Sequence, residues 1–289
     1  MCQDTYRCLM ADTHDTRQLD LDAYLARTEW SGERRADLAT LRSLHRAHMY
    51  GIPFENLQPL LGSAPSLDLT DLQHKLVGSP RGGYCYEHNT LFAAVLSVFG
   101  FGVTGLSARV RVGADPGQPR PRTHMLLLVD VPGEDGPYIA DVGFGAGGAL
   151  VEPAPLVTDT EFTGGNRRHR YMHEPHNGPL ELWVFQTHED GVWKDQYAFT
   201  LEPCEAPDFE VFNWHVGANP RSPFTRMLYA QRSSEDRRLI LRRRILVEAH
   251  ADGTRTKREL SDGAEVLRVL AEDFGIVLPE DIRLPDSAL

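Results

Sequence analysis

The sequence predicts an α+β protein, with a helical first third, an antiparallel sheet or barrel in the middle and a mixed tail. Three observations carry this. Apolar residues recur at three- and four-residue spacing as far as Phe99; β-branched and aromatic runs broken by Gly, Pro and Asp turns follow to Leu201; both patterns return after Cys204. At 289 residues the chain exceeds the roughly 100 to 200 of one domain, so two or three connected cores are expected.

In order, the expected helices are "LDAYLART", then "ERRADLATLRSLHRAHMYG" with Leu38, Leu41, Leu44 and His48 on one face and Gly51 as its stop. "LTDLQHKLVG" follows, with Thr70 or Asp68 at its start and Gly78 at its end, and a fourth helix runs from about Tyr86 to Phe99. The period then becomes that of strands: "VTGLSARVRV", "HMLLLVDV", "YIADVGF", "LELWVFQTH" and "VWKDQYAFTL", divided by "GADPGQP", "PGEDGP" and "EDG". The tail adds a short helix near "DFEVFNWH", a hairpin "LILRRRILVEAHADGTRTKREL" turning at Asp252-Gly253, and a helix from Asp262 to Phe274.

Charge narrows the partners. Thirty basic against 41 acidic residues give a net charge of -11, which repels phosphate backbones and anionic membranes, so neither nucleic acid nor a membrane is expected. No apolar run reaches the roughly 20 residues of a membrane span, and "MCQDTYRCLMADTHDTRQLD" does not resemble a signal peptide. Four scattered cysteines, Cys2, Cys8, Cys85 and Cys204, fit a reducing compartment. A soluble cytoplasmic protein is expected.

Cys85 is the cysteine with chemical context. An isolated cysteine is usually packing, but Gly82 and Gly83 precede this one and a helix begins at it, where unpaired N–H groups and the positive dipole end favour a thiolate. Cys2 and Cys8 lie in an N-terminal arm and Cys204 in a loop. A thiol needs a base, and twelve histidines compete. His45, His48 and His74 belong to helices, His14 and His250 to surface or turn, and His88 lies one turn along the same helix as Cys85. His124 differs: it opens "HMLLLVD" directly after the Pro-rich turn "GQPRPRT", so rigid backbone holds it at a sheet end. Asp141 in "YIADVGFG" is an acid inside an apolar strand, a residue rarely buried there without a partner. Cys85, His124 and Asp141 form a candidate nucleophile, base and orienting acid.

Two other patterns carry less. "GFGAGG" (Gly143 to Gly148) matches a dinucleotide-binding spacing, yet Pro153 and Pro155 forbid the helix it requires. His169, His173 and His176 in "HRYMHEPH" have zinc-like spacing but sit in an expected loop with no fourth ligand, so no metal is expected.

"IPFENL" (Ile52 to Leu57), "RGGYCYEHN" (Arg81 to Asn89), "THMLLLV" (Thr123 to Val129) and "DVGFG" (Asp141 to Gly145) resemble, in order and spacing, the arylamine N-acetyltransferases. "NPRSPFT" (Asn219 to Thr225) is similar to that family's C-terminal segment. The resemblance implies a helical bundle (1–100) carrying the nucleophile, a β-barrel (101–203) carrying histidine and aspartate, and an α/β lid (204–289), with a triad arranged as in cysteine proteases. It implies acetyl-CoA as donor, an aromatic amine, hydrazine or N-hydroxyarylamine as acceptor, an acetyl-cysteine intermediate and a role in xenobiotic metabolism. It places Phe144 against the arylamine ring and Val110, Thr123, Gly145 and His215 along the substrate or CoA cleft. It further suggests that Glu55 and Arg81 meet beneath the nucleophile's helix. Two rivals share the triad: a family member closing an ansamycin-type macrolactam, and a thiol hydrolase using water as acceptor. Oligomeric state is not legible.

Overall fold

The computed structural model describes residues 18–115, 117–165 and 167–289; Cys2, Cys8 and His14 lie outside them. Helix α1 (Leu21–Arg27) starts where the Asp20 carboxylate accepts from the Ala23 N–H, and α2 (Leu38–Gly51) where Asp37 accepts from Thr40. The latter cap is why α2 begins at Leu38 and not at Glu33. After strand β1 (Phe54–Glu55) and the short α3 (Leu57–Leu60), Asp68 caps α4 (Leu69–Leu72), which continues as a π-helix over Gln73–Val77. The expected helix over 69–78 is therefore present, wound wider in its second half.

Helix α5 (Cys85–Phe99) is buried on every side from Cys85 to Leu96 and ends at Gly100 in the left-handed conformation, φ 91°. Its second half, Leu91 to Leu96, is apolar all round and belongs in a core, while Glu87, His88 and Asn89 in its first half are buried with partners. It packs on β2 (Gly102–Val110) and β3 (His124–Asp130). With β4 (Tyr138–Ala140), β5 (Ala154–Pro155), β6 (Glu161–Gly164), β7 (Arg167–Glu174), β8 (Leu182–Glu189) and β9 (Val192–Phe199), these form an eight-stranded antiparallel sheet in the order β5-β4-β3-β2-β9-β8-β7-β6, rolled into a nearly closed barrel. Two expectations are corrected. The strand in "YIADVGF" ends at Ala140, so Asp141 stands just past a strand end and not inside it. "HRYMHEPH", expected as a loop, is mostly β7, whose alternating Arg, His and Tyr hide the usual aliphatic signature.

After α6 (Ala206–Ala218), a second sheet runs β1-β10-β11-β12-β13 through β10 (Tyr229–Ser233), β11 (Arg237–Arg242), β12 (Ile245–His250) and β13 (Arg255–Glu259). The turn around Asp252-Gly253 is present, but a second turn at Arg243-Arg244, with Arg243 at φ 54°, makes three strands where one hairpin was expected. An arginine pair carries none of the usual turn chemistry. Helix α7 (Gly263–Glu272), capped by Asp262, covers this sheet and packs Val266, Val269 and Leu270 onto Leu239, Leu241 and Leu246. Asn56 joins the two halves: its amide donates to the Phe224 and Met227 carbonyls at 2.8 Å each and accepts from the Tyr229 N–H at 2.7 Å.

Candidate active site

Cys85 is the first residue of α5 and only 3% exposed. Its N–H, in the helix's first turn, donates to no acceptor among the described residues. The loop that delivers it is tied from below. Gly82 lies so close to β1 that a Cβ there would sit 1.8 Å from the Pro53 carbonyl oxygen, which excludes any other residue. The Gly83 carbonyl accepts from the Glu55 N–H at 2.8 Å. Arg81 donates to Glu55 Oε1 through Nε (2.9 Å) and Nη2 (2.6 Å), so the two charged residues of "PFENL" and "RGGYC" do meet. A second pair, not foreseen, holds the helix start: Glu87 accepts from the Tyr84 N–H at 3.1 Å and from Lys75 Nζ at 2.6 Å. Burial pushes the Glu87 carboxyl up, and the Lys75 ammonium works against that rise.

Glu55 is 1% exposed, so removing its partner strands a buried charge. Arg81→Ala is expected to lower stability by about 3 to 5 kcal/mol, read as the urea midpoint, with activity falling because Cys85 is misplaced. A variant that unfolds together with the wild type would mean that the pair does not hold this loop.

His124, at the start of β3, is 2% exposed and Asp141 1%. The imidazole Nε2 donates to Asp141 Oδ2 at 2.7 Å, which leaves Nδ1 as the ring nitrogen open to the Cys85 side; the thiol itself donates to the Thr123 carbonyl at 3.8 Å and contributes to the upward shift of the ring. Asp141 Oδ1 accepts from Asn89 Nδ2 and from the Gly143 N–H, each at 3.1 Å. Asn89 is one helical turn beyond Cys85; it also donates to the Met125 carbonyl at 2.7 Å and accepts from the Val142 N–H at 3.2 Å. The sequence spacing of four places it on the face of Cys85. Gly143 approaches the helix so closely that a Cβ would lie 2.6 Å from the Cys85 Cα.

Burial alone would lower the His124 pKa, but the Asp141 carboxylate, with a contribution from Cys85, raises it to about 10. Burial alone would raise the Asp141 carboxyl; His124, Asn89 and Gly143 hold it below its ordinary value. His45, His48, His88 and His169 behave oppositely, because burial drives each down, His45 and His88 to about 4. Their hydrogen bonds fix neutral rings. Tyr24 Oη donates to His48 Nδ1 (2.9 Å), His48 Nε2 to His88 Nδ1 (2.8 Å), and His88 Nε2 to the Pro53 carbonyl (3.2 Å). His45 donates to the Val151 carbonyl and accepts from the Asp141 N–H. Among these buried histidines only His124 is shifted upward, toward its protonated form.

These shifts set an acid limit. Folded pKa values near 4 for His45 and His88, against roughly 6.5 unfolded, mean that the unfolded chain binds more protons between those values. Their stability is complete above the unfolded value and is lost as pH falls to the folded one, on the order of 3 kcal/mol each. The thermal midpoint is expected to drop steeply from pH 6.5 to 4.5; an equal midpoint at both would contradict neutral burial. His124 adds the opposite slope, with stability complete below the unfolded value and lost toward its raised value near 10.

Cys85 and His124 line one cavity of about 630 Å³, and Val110, Thr123, Phe144, Gly145 and His215 line the same cavity. Asp141 stands behind the imidazole and outside the cavity. Phe144 is tilted against His124 with ring centroids 5.0 Å apart, and Tyr197 lies 5.1 Å from the same ring. Gly143 to Ala146, the first four residues of the "GFGAGG" turn, form one wall, which is what the glycines serve in place of a dinucleotide. Phe54, Arg120, Arg221, Phe224 and Tyr229 also line the cavity and were not foreseen. Phe54 was readable from "IPFENL"; the others come from loops and from the second sheet, whose placement no local pattern states. His169 is buried with Nδ1 on Thr187 Oγ1 at 3.0 Å, while His173 and His176 are exposed. No group of three or more His, Cys, Asp or Glu placed to hold a metal occurs among the described residues.

A family model described as N-acetyltransferase matches residues 37–283. The arylamine N-acetyltransferase of Mycolicibacterium smegmatis is 40% identical over 263 residues, 90% of this chain and 93% of the relative. The crystal structure of the Nocardia farcinica arylamine N-acetyltransferase superposes with a TM-score of 0.86 at 45% identity, covering 92% of this chain and 93% of that one. The Mycobacterium marinum arylamine N-acetyltransferase, solved in complex with CoA, superposes with a TM-score of 0.83 at 36% identity over 89% of this chain and 93% of that one.

Proposed function

The chain belongs to the arylamine N-acetyltransferase family, and from that premise we propose that it moves the acetyl group of acetyl-CoA to the nitrogen of an arylamine or arylhydrazine, or to an N-hydroxyarylamine, through acetyl-Cys85. The observation that carries this is the juxtaposition of Cys85 and His124 in one cavity wall, with Asp141 2.7 Å behind the imidazole.

With a proton held on His124, the Cys85 sulfur attacks the thioester carbonyl carbon. The tetrahedral oxyanion falls beside the α5 N-terminus, where the unpartnered Cys85 N–H is aimed to receive it. Its collapse breaks the bond to CoA sulfur, and the leaving thiolate takes the His124 proton. One thioester replaces another, so the step has little net cost. The amine then attacks acetyl-Cys85, the neutral imidazole takes its proton, and the Cys85 sulfur leaves without a proton as the amide forms, which restores the starting pair. Phe144 offers the arylamine ring an aromatic face. Asp141 keeps the imidazole proton at Nε2, so that Nδ1 faces the sulfur.

We divide the chain into 1–100, 101–203 and 204–289, with nucleophile, base and lid in that order. The pairing of β1 with β10 gives the third unit an edge strand from the first.

The test is free thiol release from acetyl-CoA with and without a small arylamine. Parallel double-reciprocal lines and release that depends on the amine are expected. Equal release without amine would instead favour the hydrolase, and no release with any small amine the macrolactam-forming reaction.

A further inference from the structure

The mechanism leaves two cations in the cavity wall unused. Arg120 comes from the loop between β2 and β3, and Arg221 from the turn after α6; both border the cavity that holds Cys85. Arg120 is partly buried and Arg221 exposed, which puts them toward the solvent side of a cavity whose thiol is buried. Arg120 is rigidly presented: Pro119 and Pro121 flank it, and its carbonyl accepts from the Arg109 guanidinium. In the same segment Arg111 pairs with Glu174 and Asp195, and Arg122 with Glu202. Arg120 has no such carboxylate, and its buried Nε donates to nothing among the described residues. The Arg221 backbone is fixed by the Asn219 side chain at 2.9 Å, and its guanidinium likewise has no ion-pair partner among the described residues.

A buried donor without an acceptor is a site that waits for one. In a chain of net charge -11, Arg120 and Arg221 bring two positive charges to the lining of one cavity, which favours an anion there. A guanidinium fork matches phosphate bidentately. We propose that Arg120 and Arg221, one from each side loop, clamp the phosphate groups of the CoA donor and so set its KM. This rests on the reading that the donor is acetyl-CoA. A carboxylate carried by the amine acceptor offers the same chemistry, and the experiment separates the two.

The measurement is kcat/KM for acetyl-CoA and for S-acetylpantetheine, which has the thioester but no phosphate, in wild type, Arg120→Gln, Arg221→Gln and the double variant. The ratio of acetyl-CoA to S-acetylpantetheine efficiency is expected to fall at least tenfold in the double variant, through KM for acetyl-CoA, and that KM is expected to depend less on salt than in wild type. Arg120→Lys is expected to recover part of the ratio. An unchanged ratio, whether both donors hold or both decline together, overturns the proposal. So does a KM increase confined to a carboxylate-bearing arylamine. Wild type that releases no thiol from either donor would instead refute acetyl transfer itself, before any arginine is changed.

Discussion

Asp141→Asn is expected to cut turnover about 10⁴-fold with the fold intact, the loss that a wrong imidazole tautomer causes in another triad. The geometry explains why so small a change acts so strongly. Asp141 Oδ1 is committed to the Asn89 amide and the Gly143 N–H, so an asparagine must keep its carbonyl there and turn its NH₂ toward His124 Nε2. That nitrogen must then accept, the ring proton moves to Nδ1, and the imidazole can no longer take a proton on the side of the sulfur. The negative charge that raises His124 is lost as well. Steady-state kcat together with a near-UV circular dichroism melt checks this. Near-normal turnover at an unchanged midpoint would reduce Asp141 to a turn residue.

Cys85→Ala is expected to remove essentially all acetyl transfer, a loss on the order of 10⁶ if the triad acts as a unit. Little stability should go with it, because only the sulfur is deleted. No other described cysteine can substitute. Cys204 does not border the cavity, its thiol donates to Ser107 Oγ at 3.2 Å, and burial pushes its pKa up. Initial rates with acetyl-CoA and a small arylamine give the comparison. More than a few per cent of residual turnover would mean that acetyl transfer does not pass through this sulfur.

Much of this site was legible because its signals are local. The glycine pair before Cys85, the proline-rich turn before His124 and the acid after "YIA" each mark a residue whose backbone setting is unusual for its type. Their meeting in space was not local, and family resemblance supplied it. What stayed hidden depends on distance along the chain. The Lys75–Glu87 pair starts from a π-helix that a period of 3.6 does not describe. Strand β7 was concealed by polar alternation, and the turn at Arg243 lacks glycine or asparagine. Arg120 looks in the sequence like one of several loop arginines; its place in the cavity lining and its buried, unpartnered Nε single it out among the described residues. The histidines show the limit most clearly. Five of them are buried beside or within the core, and sequence position cannot say that an acid faces only one closely enough to hold its proton.

The most direct test is the mass of the intact protein after brief exposure to acetyl-CoA without amine, followed by peptide mapping. A single added acetyl group on Cys85, absent from Cys85→Ala and discharged when an arylamine is added, is the predicted result. An unmodified protein that still acetylates the amine, or an acetyl group carried on Cys204, would contradict the covalent route through Cys85.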